Sequence, residues 1–151
     1  MQTPAPREGD FDGDGRADVT VFRPSTGIWY TLNSTTRTGA YVKWGTSGDL
    51  PVPGDYNGDG RLDIAIFRPS TNTWSIRNAA TETGTDVQWG LSGDILVPGD
   101  YDGDAATDVA VFRPSTGVWY VRSSLTGAGA FFNWGVSGDV PETAAASWSV
   151  G

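Results

Sequence analysis

With 151 residues the chain has the length of one ordinary domain, and zero cysteines and histidines exclude disulfides, thiolate metal sites and histidine- or cysteine-based nucleophilic catalysis. Twenty-one glycines, nine prolines and 12 % aromatics describe many short strands and turns, and no stretch carries helix periodicity. A formal charge of −8 speaks against a nucleic-acid partner, which wants a basic stripe, and no apolar run is long enough to insert in a membrane.

Residues Thr3 to Gly9 align with Gly48 to Gly54 at an offset of 45, which predicts a short first strand. The stretch Gly9-Asp10-Phe11-Asp12-Gly13-Asp14-Gly15-Arg16-Ala17-Asp18 follows, and it recurs at residues 54–63 and 99–108. Each copy spaces polar oxygens at loop positions 1, 3, 5 and 9, namely Asp10, Asp12, Asp14 and Asp18; Asp55, Asn57, Asp59 and Asp63; and Asp100, Asp102, Asp104 and Asp108. Calcium takes six to eight oxygen ligands at flexible geometry, and loops of this kind add a backbone carbonyl at position 7, here Arg16, Arg61 and Ala106. An EF-hand is the rival, but its glutamate at position 12 is replaced by Val21, Ile66 and Val111, and the flanks read as strands. Eleven of the 18 acids lie in these loops, so three bound divalent cations would take the net charge from −8 to −2. Calcium is therefore the expected cofactor. Ala105 replaces the position-6 glycine of the other copies, so the third loop is expected to bind most weakly if that position has a positive φ.

After the first loop, Val19 to Phe22 forms a strand stopped by Arg23-Pro24-Ser25-Thr26-Gly27; Ile28 to Leu32 forms the next, and Tyr41 to Gly45 closes the repeat. Gly27, Asn72 and Gly117 share one position, which marks a hairpin turn with a left-handed residue. In the strand after each loop both faces are apolar: Val19 and Val21, Ile64 and Ile66, Val109 and Val111 on one, Phe22, Phe67 and Phe112 on the other. A sheet with a wet side would alternate, so these repeats need stacking partners. Trp29, Trp74 and Trp119 in the third strand, and Trp44, Trp89 and Trp134 in the fourth, are read as packing between repeats. Gly138 to Pro141 predicts one more inner strand, but Ala145 stands where Asp55 stood, so no fourth cation loop follows.

Asp10-x-Asp12-x-Asp14-Gly15-x-x-Asp18 with Val19-Thr20-Val21-Phe22-Arg23-Pro24 resembles the FG-GAP or VCBS repeat of integrin α-subunit propellers and related lectins, in three copies in register from about Thr3 to Asp139. The resemblance implies an all-β fold of propeller blades, calcium in the loop between the first two strands of a blade, and adhesion or carbohydrate recognition. The expected blades are residues 3–48, 49–93 and 94–139, each four-stranded and antiparallel, with 140–151 as a strand or tail. Closed propellers take about four to eight blades, so three imply either a longer propeller of which this is a fragment or a homo-oligomer, most simply a dimer with six blades.

Two function classes stay open: a calcium-binding, lectin-like module, and a calcium-stabilised scaffold or protein-adhesion module without a sugar ligand. Candidate ligand contacts for the first are Arg23, Arg68 and Arg113 with Trp29, Trp74 and Trp119; alternatively, these arginines pair with acids such as Asp49 and Asp94 between blades. An enzyme is the weakest class, since only Glu8, Asp49, Glu82, Asp86, Asp94, Asp139 and Glu142 lie outside the ion loops. Met1-Gln2-Thr3-Pro4 does not read as a signal peptide. The chain is read as a mature segment working outside the cell or at its surface, where millimolar calcium fills weak loops.

Overall fold

The computed structural model describes residues 9–142. Every element among them is a strand. The first sheet contains β1 (Val19–Arg23), β2 (Ile28–Leu32) and β3 (Gly39–Lys43). The second contains β4 (Leu50–Pro51), β5 (Ile64–Arg68), β6 (Thr73–Arg77) and β7 (Gly84–Gln88), and the third β8 (Ile95–Leu96), β9 (Val109–Arg113), β10 (Val118–Arg122) and β11 (Gly129–Asn133). Each is an antiparallel meander with neighbours in chain order. The register repeats as well: Val21, Ile66 and Val111 lie opposite Tyr30, Ser75 and Tyr120.

The hairpin between the two central strands closes on the expected residue. Gly27, Asn72 and Gly117 have φ of 72°, 55° and 73°. At Gly27 the chain passes so close that a Cβ would stand 2.2 Å from the Gly45 carbonyl oxygen, which excludes other residues from this version of the turn.

Two of the three core clusters lie between sheets, and one lies within the third sheet, where Val97, Ala110, Phe112 and Val121 are buried beside Ile95 and Trp119. Phe22, Trp29, Val42 and Trp44 of the first sheet pack on Ile64 and Ile66 of the second. In the next joint Tyr56, Phe67, Trp74, Val87 and Trp89 pack on Val109, Val111 and Tyr120. This is why both faces of β5 are apolar; β9 meets the second sheet with Val109 and Val111 and buries Ala110 and Phe112 against Val97, Val121 and Trp119 of its own sheet, whereas Val19 and Val21 of β1 are 65 % and 54 % exposed.

Two expectations for strands need correction. The outer strands end before Trp44, Trp89 and Trp134, because each of these residues turns its N–H to the hairpin glycine or asparagine, as in Trp44 N to Gly27 O at 2.9 Å. Val140 and Pro141 form no strand, and Val140 is 75 % exposed. The equivalent β4 and β8 exist only because β5 and β9 follow and pair with them, and no such strand follows Pro141 among the described residues. The strand expected at residues 3–9 lies outside the described residues except for Gly9.

Candidate cation-binding loops

Each loop is held shut at its base by the backbone. Asp18, Asp63 and Asp108 donate their N–H groups to Gly9, Gly54 and Gly99 at 2.8, 2.7 and 2.7 Å. The position-1 carboxylate then shapes the loop from inside. Asp10 accepts Gly13 N–H at 2.7 Å on one oxygen and Gly15 N–H at 2.9 Å on the other, and Asp55 and Asp100 repeat this with Gly58 and Gly60, and Gly103 and Ala105. Turning both amides inward requires positive φ at position 6, and the values are 88° at Gly15, 87° at Gly60 and 70° at Ala105. The alanine is thus held in a conformation that costs an L residue about 1–2 kcal/mol, which meets the condition set for a weakened third loop.

The position-9 aspartates tie each loop to the far end of its sheet. Asp18 accepts Phe11 N–H and Ser34 N–H, both at 3.0 Å; Asp63 accepts Tyr56 and Ala79, and Asp108 accepts Tyr101 and Ser124. The residues at these far ends were legible only as a polar connection, although Asn33 and Asn78 recur at the 45-residue period. They cap their own turn, Asn33 Oδ1 accepting Thr35 and Thr36 N–H at 2.9 Å, and in the first loop Asn33 also donates to Asp12 and Thr35 to Asp14.

Carboxylate oxygens of Asp10, Asp12 and Asp18 lie within 4.8 Å of one another, and so do those of Asp100, Asp102 and Asp108. Positions 1, 3 and 9 converge; the position-5 residues Asp14 and Asp104 fall outside that group, their Oδ1 atoms accepting Arg16 and Ala106 N–H at 2.8 and 3.0 Å. The second loop substitutes Asn57, which donates to Asp59 at 3.3 Å.

Three observations bear on whether a cation suits these loops. The described ion pairs are Arg68 with Asp49, Arg77 with Glu82 and Arg113 with Asp94, so no loop aspartate has a basic partner. Burial pushes the Asp63 carboxyl up to about 6, against the backbone N–H groups of Ala79 and Tyr56, and repulsion from Asp59 and Asp55 adds to the rise. Burial likewise raises Asp55 and Asp108. Finally, Ala106 is fully buried and its carbonyl oxygen accepts no hydrogen bond among the described residues. A buried acceptor without a donor is costly, and this is the position-7 oxygen. Clustered carboxylates without a counter-charge and an orphaned carbonyl could hold an oxygen-liganded divalent cation.

Two of the position-7 side chains, Arg61 and Ala106, pack on the preceding loop. A Cβ at Gly13 would stand 2.7 Å from Arg61 Cγ, so Arg61 covers the preceding loop, and Ala106 lies similarly over Gly58. The loops are also stitched together, Leu62 N–H donating to Asp10 O at 2.9 Å and Thr107 N–H to Asp55 O at 2.7 Å.

The candidate ligand residues divide. Trp29 and Trp74 are 3 % and 0 % exposed, with indole N–H groups given to Trp44 O and Trp89 O at 3.0 and 3.1 Å, so neither offers surface to a ligand. Trp119 is half-buried and lines an open groove with Tyr101, Phe132 and Trp134. Arg68 and Arg113 grip Asp49 and Asp94 through Nε and Nη2. The pairing joins each strand to the turn before its own sheet's inner strand, so it lies within a sheet rather than between two. Arg23 and Arg113 additionally stack 4.5 and 4.4 Å over Tyr30 and Tyr120.

Stacked antiparallel meanders joined by acidic loops at a fixed period define a tandem-repeat, propeller-type module of the recognition or adhesion class. The FG-GAP-like repeat family matches residues 10–66 and again 55–111. The chain belongs to the FG-GAP-like repeat family, which is generally non-enzymatic and typically extracellular. Neither the search of curated proteins nor that of solved structures returned a match. No helix among the described residues is long and apolar enough to cross a membrane.

Proposed function

We propose that the chain is a calcium-binding, extracellular recognition module that uses three loops as structural ion sites. Positions 1, 3 and 9 would hold the ion in each loop with the position-7 carbonyl, and position 5 would join them. The cation would supply the counter-charge that lets these acids stay ionised when buried. The observation that carries this reading is the buried carbonyl of Ala106 beside carboxylates without a basic partner. Equilibrium calcium titration of chelator-stripped protein tests it: three sites, the third weakest, support it, and no binding at millimolar calcium overturns it. Three equal sites overturn the ranking.

A carbohydrate is the ligand class favoured by one exposed feature of the joint between the second and third sheets. Arg113 stacks over Tyr120, and Phe131, 72 % exposed, stands 6.5 Å from the Tyr120 ring, which together present guanidinium and aromatic surface. The second reading, a scaffold or protein-adhesion module without a sugar ligand, draws support from the burial of Trp29 and Trp74. A glycan array in calcium separates them. Binding that disappears in Phe131→Ala supports the sugar site; silence supports the scaffold.

A further inference from the structure

The two joints inside the chain use one set of contacts. Trp44 sends its indole N–H to Ser75 O at 3.0 Å and Trp89 sends its own to Tyr120 O at 3.1 Å. Each indole crosses a glycine: a Cβ on Gly84 would stand 2.5 Å from Trp44 Cη2, and one on Gly129 3.0 Å from Trp89 Cη2. Beneath the indole, a pair of aliphatic residues on the following sheet is buried, Ile64 with Ile66 and then Val109 with Val111. At the loop end, the position-8 N–H bonds to the position-1 carbonyl of the preceding loop.

Both halves of this joint recur at the ends of the stack without a mate. The third sheet offers Trp134, 80 % exposed, above the open aromatic groove of Tyr101, Trp119 and Phe132, and its Asp100 is exposed where Asp10 and Asp55 are buried. The first sheet offers the receiving half. Val19 and Val21 are 65 % and 54 % exposed, Gly39 occupies the position of Gly84 and Gly129 with nothing within 4 Å, and Tyr30 occupies that of Ser75 and Tyr120.

Among the described residues, the arginine–aspartate pairing of the inner sheets is left open at the same two ends. In the second and third sheets the inner strand follows a turn in which Asp49 or Asp94 caps its own loop and grips Arg68 or Arg113. Asp139 makes the same turn, accepting Val136 N–H at 2.8 Å, and then leads Val140 into solvent, 75 % exposed, whereas Pro141 is buried. The first sheet has three described strands, and its Arg23 has no carboxylate partner among the described residues. At residue 4, where the first repeat would place that acid, stands a proline.

We propose that a second copy of this chain docks head to tail on the first, continuing the intrachain joint. The partner's Val19 and Val21 fill the aromatic groove of the third sheet, and Trp134 reaches the partner's Tyr30 carbonyl across the partner's Gly39. Asp139 takes the partner's Arg23. The proposal rests on the propeller-type reading of the fold. A heterologous contact of this kind repeats until it closes. Each copy brings three sheets, and closed propellers hold about four to eight blades, so two copies make the ring.

Trp134→Ala and Gly39→Leu each remove one half of the joint at an exposed position with room around it, so each variant folds as the isolated chain does. Light scattering on a sizing column is expected to give wild type twice the 16.0 kDa of one chain and each variant 16.0 kDa. An equimolar mixture of the two variants restores one of the ring's two joints, where the Trp134 of the Gly39→Leu copy meets the Gly39 of the Trp134→Ala copy, and is expected to recover a doubled mass that is lost on dilution sooner than in wild type. A wild type at 16.0 kDa, a doubled mass in either variant alone, a mixture that holds its doubled mass on dilution as well as wild type does, or a ladder of larger masses each overturns the proposal. Calcium titration of the same samples keeps the two readings apart. A monomeric wild type that binds calcium removes the joint and leaves the ion sites standing.

Discussion

Ala105→Gly is expected to stabilise the chelator-treated protein. Ala105 sits at φ 70° where Gly15 and Gly60 take 88° and 87°, so its Cβ is held in the left-handed region by the amide that it must turn toward Asp100. Releasing that strain returns about 1–2 kcal/mol. Against this, glycine widens the unfolded ensemble, which costs about 0.4–1 kcal/mol. The balance is a gain of about 1 kcal/mol. For a chain of 151 residues that is a rise in melting midpoint of about 2–4 °C. The reverse change is available as a control, because a Cβ at Gly15 meets nothing within 4 Å, so Gly15→Ala adds backbone strain without a clash. It is expected to lose about as much as Ala105→Gly gains. Thermal unfolding followed by circular dichroism measures both. An Ala105→Gly midpoint equal to or below wild type, with Gly15→Ala unchanged, would refute the strain argument.

Two further outcomes follow from contacts between and within sheets. Gly84→Ala places a methyl 2.5 Å from Trp44 Cη2 and 3.0 Å from Cζ2, so the indole must leave the Ser75 carbonyl; the expected loss is about 1–3 kcal/mol, read as a lower urea midpoint, and an unchanged midpoint would show that Trp44 does not latch the joint. Burial pushes the Asp49 carboxyl up, but Arg68 and the Thr46 N–H outweigh it and hold it below its ordinary value of 3.8. A carboxyl depressed in the folded state adds stability above about pH 4 that is lost as pH falls through the folded value. Arg68→Met should therefore cost about 1–2 kcal/mol at pH 7, at the low end for a charged hydrogen bond because the Arg68 side chain is 40 % exposed, and this deficit should shrink below about pH 4. A deficit that is the same at pH 7 and pH 3 contradicts the pairing.

What the sequence made legible was whatever a repeat forces on every copy. The positive φ at Gly27, Asn72 and Gly117 could be read because only residues that tolerate it recur there. The stacking of sheets could be read because β5 and β9 are apolar on both faces. Ala105 announced its own strain by replacing a glycine. The loop geometry was legible in part: spacing identified the carboxylates, but not that positions 1, 3 and 9 converge while position 5 turns back on its own backbone. Contacts between repeats were the least legible. Nothing at one position says that Arg61 will lie over Gly13, or that Trp44 will cross Gly84, since both partners look correct in isolation and meet only once the sheets stack. The strand motif at Val140 misled because it is half of a pair, and no partner strand follows it among the described residues.

Calcium as a structural ion is the central claim, and melting one sample with calcium and with chelator tests it most directly. At one hundred times its dissociation constant each ion contributes about 2.7 kcal/mol to the folded state. Binding at even two loops predicts a midpoint in millimolar calcium more than about 10 °C above that in chelator. Superimposable melting curves would contradict the account.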